Sequence, residues 1–88
     1  MAIDAKSVQK VFGEVLRQTR TGVGLSQQEL ALRAELDRTY ISLLERGKRQ
    51  PSLVTLLALA DAMAIDAAEL VQSTGARLQE AGYSLSSC

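Results

Sequence analysis

Apolar residues recur at Val8, Val11, Phe12, Val15 and Leu16, the i, i+3, i+4, i+7, i+8 stripe of an amphipathic helix. The spacing predicts a first helix over about 7–20 with Ser7 as its N-cap, and Gly13 inside it costs roughly 1 kcal/mol relative to Ala. Thr21-Gly22-Val23-Gly24 then turns the chain. Ser26-Gln27-Gln28-Glu29 forms a capping box, in which hydroxyl and carboxylate each bond the other residue's amide, and opens a second helix over about 26–33. That helix buries Leu30, Ala31 and Ala34. After a break at Glu35-Leu36, Asp37 caps a third helix over about 37–46, turning Tyr40, Ile41 and Leu44 inward. Gly47 suits the left-handed residue that closes a helix.

Ser52 caps a fourth helix over about 52–63, where Leu53, Leu56, Leu57, Ala60 and Met63 make an apolar stripe. Asp66-Ala67-Ala68-Glu69 has capping-box spacing and opens a fifth, with Leu70, Val71 and Thr74 facing in. Gly75 is placed to end or kink it. Residues 76–82 add a further turn or two, and the last residues read as a tail. Phe12, Leu53, Leu57 and Met63 are expected in the core. The pattern predicts an all-α fold of five helices, one domain over 1–88 with a C-terminal extension at about 76–88.

Composition agrees with helices packed on helices. The apolar set is mostly Leu, Ala, Val and Ile, with no Trp and with Phe12, Tyr40 and Tyr83 as the aromatics. At 88 residues a core is small, so self-association would add stability. The one cysteine, Cys88, forms no internal disulfide, which fits a reducing compartment. There is no signal-like segment and no run of about 20 apolar residues, so a cytoplasmic protein without a membrane span is expected.

Formal net charge is zero, yet its distribution is uneven. Residues 1–50 hold nine Lys/Arg against six Asp/Glu, a balance of +3, and residues 51–88 hold one against four, a balance of −3. Such a split orients a protein in the field of a polyanion. Enzyme chemistry is not indicated. The chain has no His, no paired carboxylates, no glycine-rich phosphate loop after a strand and no metal-ligand spacing, so neither cofactor, metal nor small-molecule ligand is expected.

Two short helices joined by about three residues have the spacing of a helix-turn-helix at about 26–46. With Tyr40, Ile41 and Leu44 buried, the other side of the third helix offers Arg38, Thr39, Ser42 and Leu43. Arg can bond guanine O6 and N7; Thr suits a phosphate, a base edge or a thymine methyl; Leu suits an apolar patch of the groove. Gln27 and Gln28 begin the second helix, where free amides favour a phosphate. Arg46, Lys48 and Arg49 follow the third, suited to the sugar-phosphate backbone.

Three runs carry a family resemblance: Gly24-Leu25-Ser26-Gln27-Gln28-Glu29-Leu30-Ala31, Leu36-Asp37-Arg38-Thr39-Tyr40-Ile41-Ser42, and Leu44-Glu45-Arg46-Gly47-Lys48-Arg49-Gln50-Pro51-Ser52. Over about residues 10–72 the chain resembles the lambda Cro and phage-repressor type, also called the xenobiotic-response-element type. The resemblance implies a lambda-repressor-like five-helix domain, a homodimer on an inverted-repeat operator in double-stranded DNA. It puts Gln27 on a phosphate, Arg38, Thr39 and Leu43 at base-reading positions beside Ser42, and Lys48 and Arg49 in a backbone clamp. Arg20 and Glu45 match a structural ion pair. Glu35 stands where the family usually has Gly in the turn. The run 36–42 is similar to controller proteins of restriction–modification systems; phage repressors and antitoxins share the domain.

Leu70, Val71, Leu78, Tyr83 and Leu85 are the candidate dimer surface, since the stretch after Val71 outlasts what five helices need; a solvated end is the alternative. A protein-interaction module that lost DNA binding would carry an acidic or apolar face where Arg38, Thr39, Lys48 and Arg49 stand.

Overall fold

The computed structural model describes residues 3–82. They form α1 (Ala5–Gly22), α2 (Gln27–Ala34), α3 (Arg38–Glu45), α4 (Leu53–Ala62) and α5 (Ala67–Glu80). Each begins at a Ser or Asp, namely Asp4, Ser26, Asp37, Ser52 and Asp66, whose extended backbone lets its side chain accept a first-turn amide. At α1 the cap is Asp4 and not Ser7. The Ser7 hydroxyl instead donates to the Asp4 carboxylate at 2.8 Å, adding half a turn to the expected helix.

The helix ends follow one pattern too. Gly24, Glu35, Gly47, Ala64 and Gly82 all have positive φ. At the first four, the next residue's amide reaches back to a carbonyl in the last turn: Leu25 to Arg20, Leu36 to Ala31, Lys48 to Leu43 and Ile65 to Ala60. These are Schellman closures, which satisfy carbonyls that the helix leaves without partners. Glu35 and Ala64 hold the left-handed conformation without being glycine, which strains the backbone at both.

α1 packs against α3 and α5, α2 against α3 and α4, and α4 against α5. Leu16, Leu30, Ile41, Leu44, Leu59 and Leu70, at least one from each helix, are fully enclosed at the centre. Gly13 is buried where α1 meets the end of α3, and a Cβ there would stand 2.4 Å from the Leu44 carbonyl oxygen and 2.7 Å from that of Glu45. The glycine is therefore the condition for close helix approach, and the helix-propensity reading of it as a simple cost is incomplete.

Three sequence expectations need correction. Leu53 and Leu57 are not core: they are 70% and 51% exposed, and Leu59 and Ala62 fill the interior beside Ala60 and Met63. α4 is apolar on nearly every side, so periodicity alone could not select its inner face. Val71 faces out at 56% exposure, because the inward stripe of α5 is Leu70, Thr74 and Leu78. Finally, α5 passes through Gly75 without a break to Glu80.

Candidate nucleic-acid interface

The helix-turn-helix is built by local chemistry. Ser26 Oγ accepts the Glu29 amide at 3.0 Å, and Glu29 Oε1 accepts the Ser26 amide at 2.9 Å. The Ser26 backbone amide, and after it the Ser26 hydroxyl, hold the Glu29 carboxyl below its ordinary value. Glu35 turns the chain, Leu36 docks half-buried on the core, and Asp37 Oδ1 accepts the Thr39 amide at 2.8 Å to start α3.

With Ile41 and Leu44 enclosed and Tyr40 packed on the core, α3 can present only its other side. Thr39, Ser42, Leu43 and Arg46 stand at i, i+3, i+4 and i+7, one outward stripe, with Arg38 at the helix start. Arg38, Thr39 and Arg46 are exposed; Ser42 and Leu43 are half-buried at the flanks. Among the described residues the side chains of Arg38, Thr39 and Ser42 make no hydrogen bond. Arg46 Nε donates to the Ser42 carbonyl at 3.4 Å, so Arg38, Thr39 and Ser42 are the positions whose side chains the protomer leaves unused.

A buried ionic junction sets its aim. Arg20 Nε donates to Glu45 Oε2 at 2.6 Å and its Nη2 to Oε1 at 3.0 Å, a bidentate pair. The third nitrogen, Nη1, donates to the Leu25 carbonyl at 2.9 Å. Gln27 Nε2 also donates to Glu45 Oε1, at 3.0 Å. The bond to Glu45 raises the Arg20 guanidinium above its ordinary value, against the opposing effect of burial. One carboxylate thus joins α1, the start of α2 and the end of α3. The side-chain amide of Gln27, expected on a phosphate, is engaged here, while the backbone amides of Gln27 and Gln28 lie in a first turn that has no intrahelical acceptor.

The basic loop is anchored in turn. The Gly47 and Lys48 amides bond the Leu44 and Leu43 carbonyls at 3.1 and 2.9 Å, fixing the exit from α3. Lys48, Arg49 and Gln50 are exposed beyond it. The ion pairs among the described residues are Arg20–Glu45 and Arg77–Glu14, so Arg38, Arg46, Lys48 and Arg49 have no carboxylate in reach. Arg46 ends the outward stripe of α3, and Arg38, Lys48 and Arg49 flank it.

The candidate dimer surface fares differently. Leu70 and Leu78, at 1% and 3% exposure, are used up in the protomer's own interior, so neither can form an interface. Val71 stays accessible. Tyr83 and Leu85 lie outside the described residues. The pattern missed the outer face of α4, where Leu53, Val54 and Leu57 are all exposed. A signal existed: α4 carries one charge, Asp61, and no polar side. No helix among the described residues is long and apolar enough to cross a membrane.

A helix-turn-helix family model matches residues 16–70. The chain is 37% identical over 67 residues to an uncharacterized HTH-type transcriptional regulator, y4dJ, of Sinorhizobium fredii, covering 76% of this chain and 87% of that protein. It is 35% identical over 69 residues to the control protein C.BamHI of Bacillus amyloliquefaciens, covering 77% and 85%. Among solved structures, the restriction-modification controller protein C.AhdI from Aeromonas hydrophila aligns with a TM-score of 0.69 and 48% identity, over 70% of this chain and 94% of that one. The chain belongs to the helix-turn-helix family of DNA-binding transcription regulators, in its xenobiotic-response-element branch.

Proposed function

We propose that this chain acts in the cytoplasm as a homodimeric regulator that binds an inverted-repeat operator with α3 in the major groove. Arg38 and Thr39 read base edges, Ser42 and Leu43 line the contact, and Arg46, Lys48 and Arg49 hold the phosphate backbone. Gln27 and Gln28 offer amides to a further phosphate. The observation that carries this reading is the outward side of α3: the side chains of Arg38, Thr39 and Ser42 make no hydrogen bond, and Arg38, Arg46, Lys48 and Arg49 no ion pair, among the described residues. Similarity to the control proteins C.BamHI and C.AhdI supports a controller role beside a restriction–modification pair.

The second copy docks on α4. A helix that is apolar all round is normally covered on all sides, and here Leu53, Val54 and Leu57 are left to water. Val71 borders an adjacent open cleft of about 340 Å³, lined by Ile3, Phe12, Leu56 and Leu78 among others, which extends the apolar area. A two-fold contact through α4 repeats the same patch on both subunits and sets two recognition helices for half-sites about 10 bp apart or a multiple of that.

Selection from random duplexes with the purified chain tests the reading. A palindromic site should emerge. Arg38→Ala should cost about 1–3 kcal/mol on it and relax preference at one base pair. Arg49→Ala should weaken binding to every duplex alike. Parental binding by both variants rules out groove docking.

A further inference from the structure

The basic loop after α3 rests on α1, and the contact point is Lys10. A Cβ at Gly47 would lie 2.9 Å from Lys10 Cα and 3.3 Å from its nitrogen, so the two backbones touch. Lys10 itself is exposed. Its i+4 neighbour, Glu14, pairs with Arg77 at 3.7 Å, and Lys10 has no carboxylate within ion-pair distance among the described residues. Lys6 stands one turn earlier, in a first helical turn that contains no acidic residue. Lys6 lies beside the Asp4 cap and Lys10 one turn before Glu14, yet neither lysine is held in an ion pair among the described residues.

We propose that Lys10 is a further phosphate-binding residue, extending the Lys48–Arg49 clamp from the helix-turn-helix onto α1. Gly47 brings the α1 backbone at Lys10 against the root of the loop that carries Lys48 and Arg49, and the exposed Lys10 side chain starts from that contact, at the rim of a cleft it shares with Glu14, Arg77 and Glu80. The ligand is the sugar-phosphate backbone of duplex DNA. The contact carries no sequence information, because a lysine on a phosphate responds to charge and not to base identity. This inference rests on the DNA-binding reading above, and it enlarges the footprint beyond the residues of the helix-turn-helix itself.

The test measures affinity of the full chain for a duplex carrying the selected site and for a scrambled duplex, across about 50 to 200 mM salt. Lys10→Gln should bind both duplexes more weakly by the same factor, roughly three- to ten-fold near 0.1 M salt, with the slope of log affinity against log salt shallower by about 0.9. Lys10→Arg should retain parental affinity and slope. Circular dichroism of Lys10→Gln should match the parent, since the side chain is exposed. If the parent binds and Lys10→Gln keeps parental affinity and slope, Lys10 is no contact and the clamp ends at the loop. A loss confined to the selected duplex also overturns the proposal. Failure of the parent to bind any duplex removes the DNA reading and this inference together.

Discussion

Gly13 of α1 and Leu44 of α3 meet backbone to backbone, with only 2.4 Å between the Leu44 carbonyl oxygen and the place a Cβ would occupy at Gly13. Real Cβ atoms do not approach so closely, and backbone on both sides leaves no flexible group to yield. Gly13→Ala should therefore destabilise by about 1–3 kcal/mol in urea unfolding, although Ala is the better helix former. Gly22, at the end of the same helix, has nothing within 4 Å of its Cβ position. Gly22→Ala should be neutral or stabilising by up to about 1 kcal/mol. Equal effects at the two sites would contradict this account of the α1–α3 contact.

Glu35 and Ala64 take the left-handed conformation with φ of 56° at each. Glycine relieves that strain but enlarges the entropy of the unfolded chain, which offsets part of the gain. Glu35→Gly and Ala64→Gly should each stabilise by about 0.5–1 kcal/mol. In a chain of this length that corresponds to a rise of roughly 2–8 °C in thermal midpoint, which calorimetry can read. A fall at either position would show that its side chain contributes more than the turn costs.

The Arg20–Glu45 junction is nearly closed to solvent, with side-chain exposures of 11% and 4%. Glu45→Ala leaves the guanidinium charged and without its partner, and should cost about 3–5 kcal/mol, a large share of the stability of a protein this small. Arg20→Ala should cost a similar amount. In a double-mutant cycle the losses should fall well short of additive, because each variant breaks the same pair. Additive losses would mean that the two residues act independently.

Acid sensitivity follows from the caps. Glu29 is held below its ordinary 4.5 by the Ser26 amide and hydroxyl, and Asp4 below 3.8 by the Ser7 hydroxyl and the Lys6 amide. A carboxylate with a depressed folded pKa adds stability above its unfolded value, and that stability is lost as pH falls through the folded one. Unfolding curves should accordingly weaken as pH drops below the ordinary values of 4.5 and 3.8. Glu29→Gln should flatten the upper part of that decline.

The α4 face gives a prediction about assembly. Leu57→Asp, on an exposed position, should leave circular dichroism unchanged while sedimentation reports a monomer and operator affinity falls. A dimer that persists at unchanged strength would move the interface elsewhere.

Helix positions were legible in the sequence where they depend on local chemistry. Ser26, Asp37, Ser52 and Asp66 announce their helices because a short polar side chain can satisfy first-turn amides without tertiary help. The recognition stripe was legible for a similar reason, since Ile41 and Leu44 fix which side of α3 faces inward. Three features were hidden. Leu53 and Leu57 look like core on a helix with no polar side to mark outward. Leu70 and Leu78 look available because a stripe of leucines reads alike whether it closes its own core or a neighbour's. The need for glycine at position 13 arises from α3, a segment thirty residues downstream, and no window around α1 contains it.

Along α3 the labour is divided residue by residue. Ile41, Leu44 and Glu45 anchor the rod, whereas the side chains of Arg38, Thr39 and Ser42 make no hydrogen bond among the described residues. Substitutions on the outward side can therefore accumulate without jeopardising folding, and descendants of one scaffold can drift from one target sequence to another while their architecture stays constant.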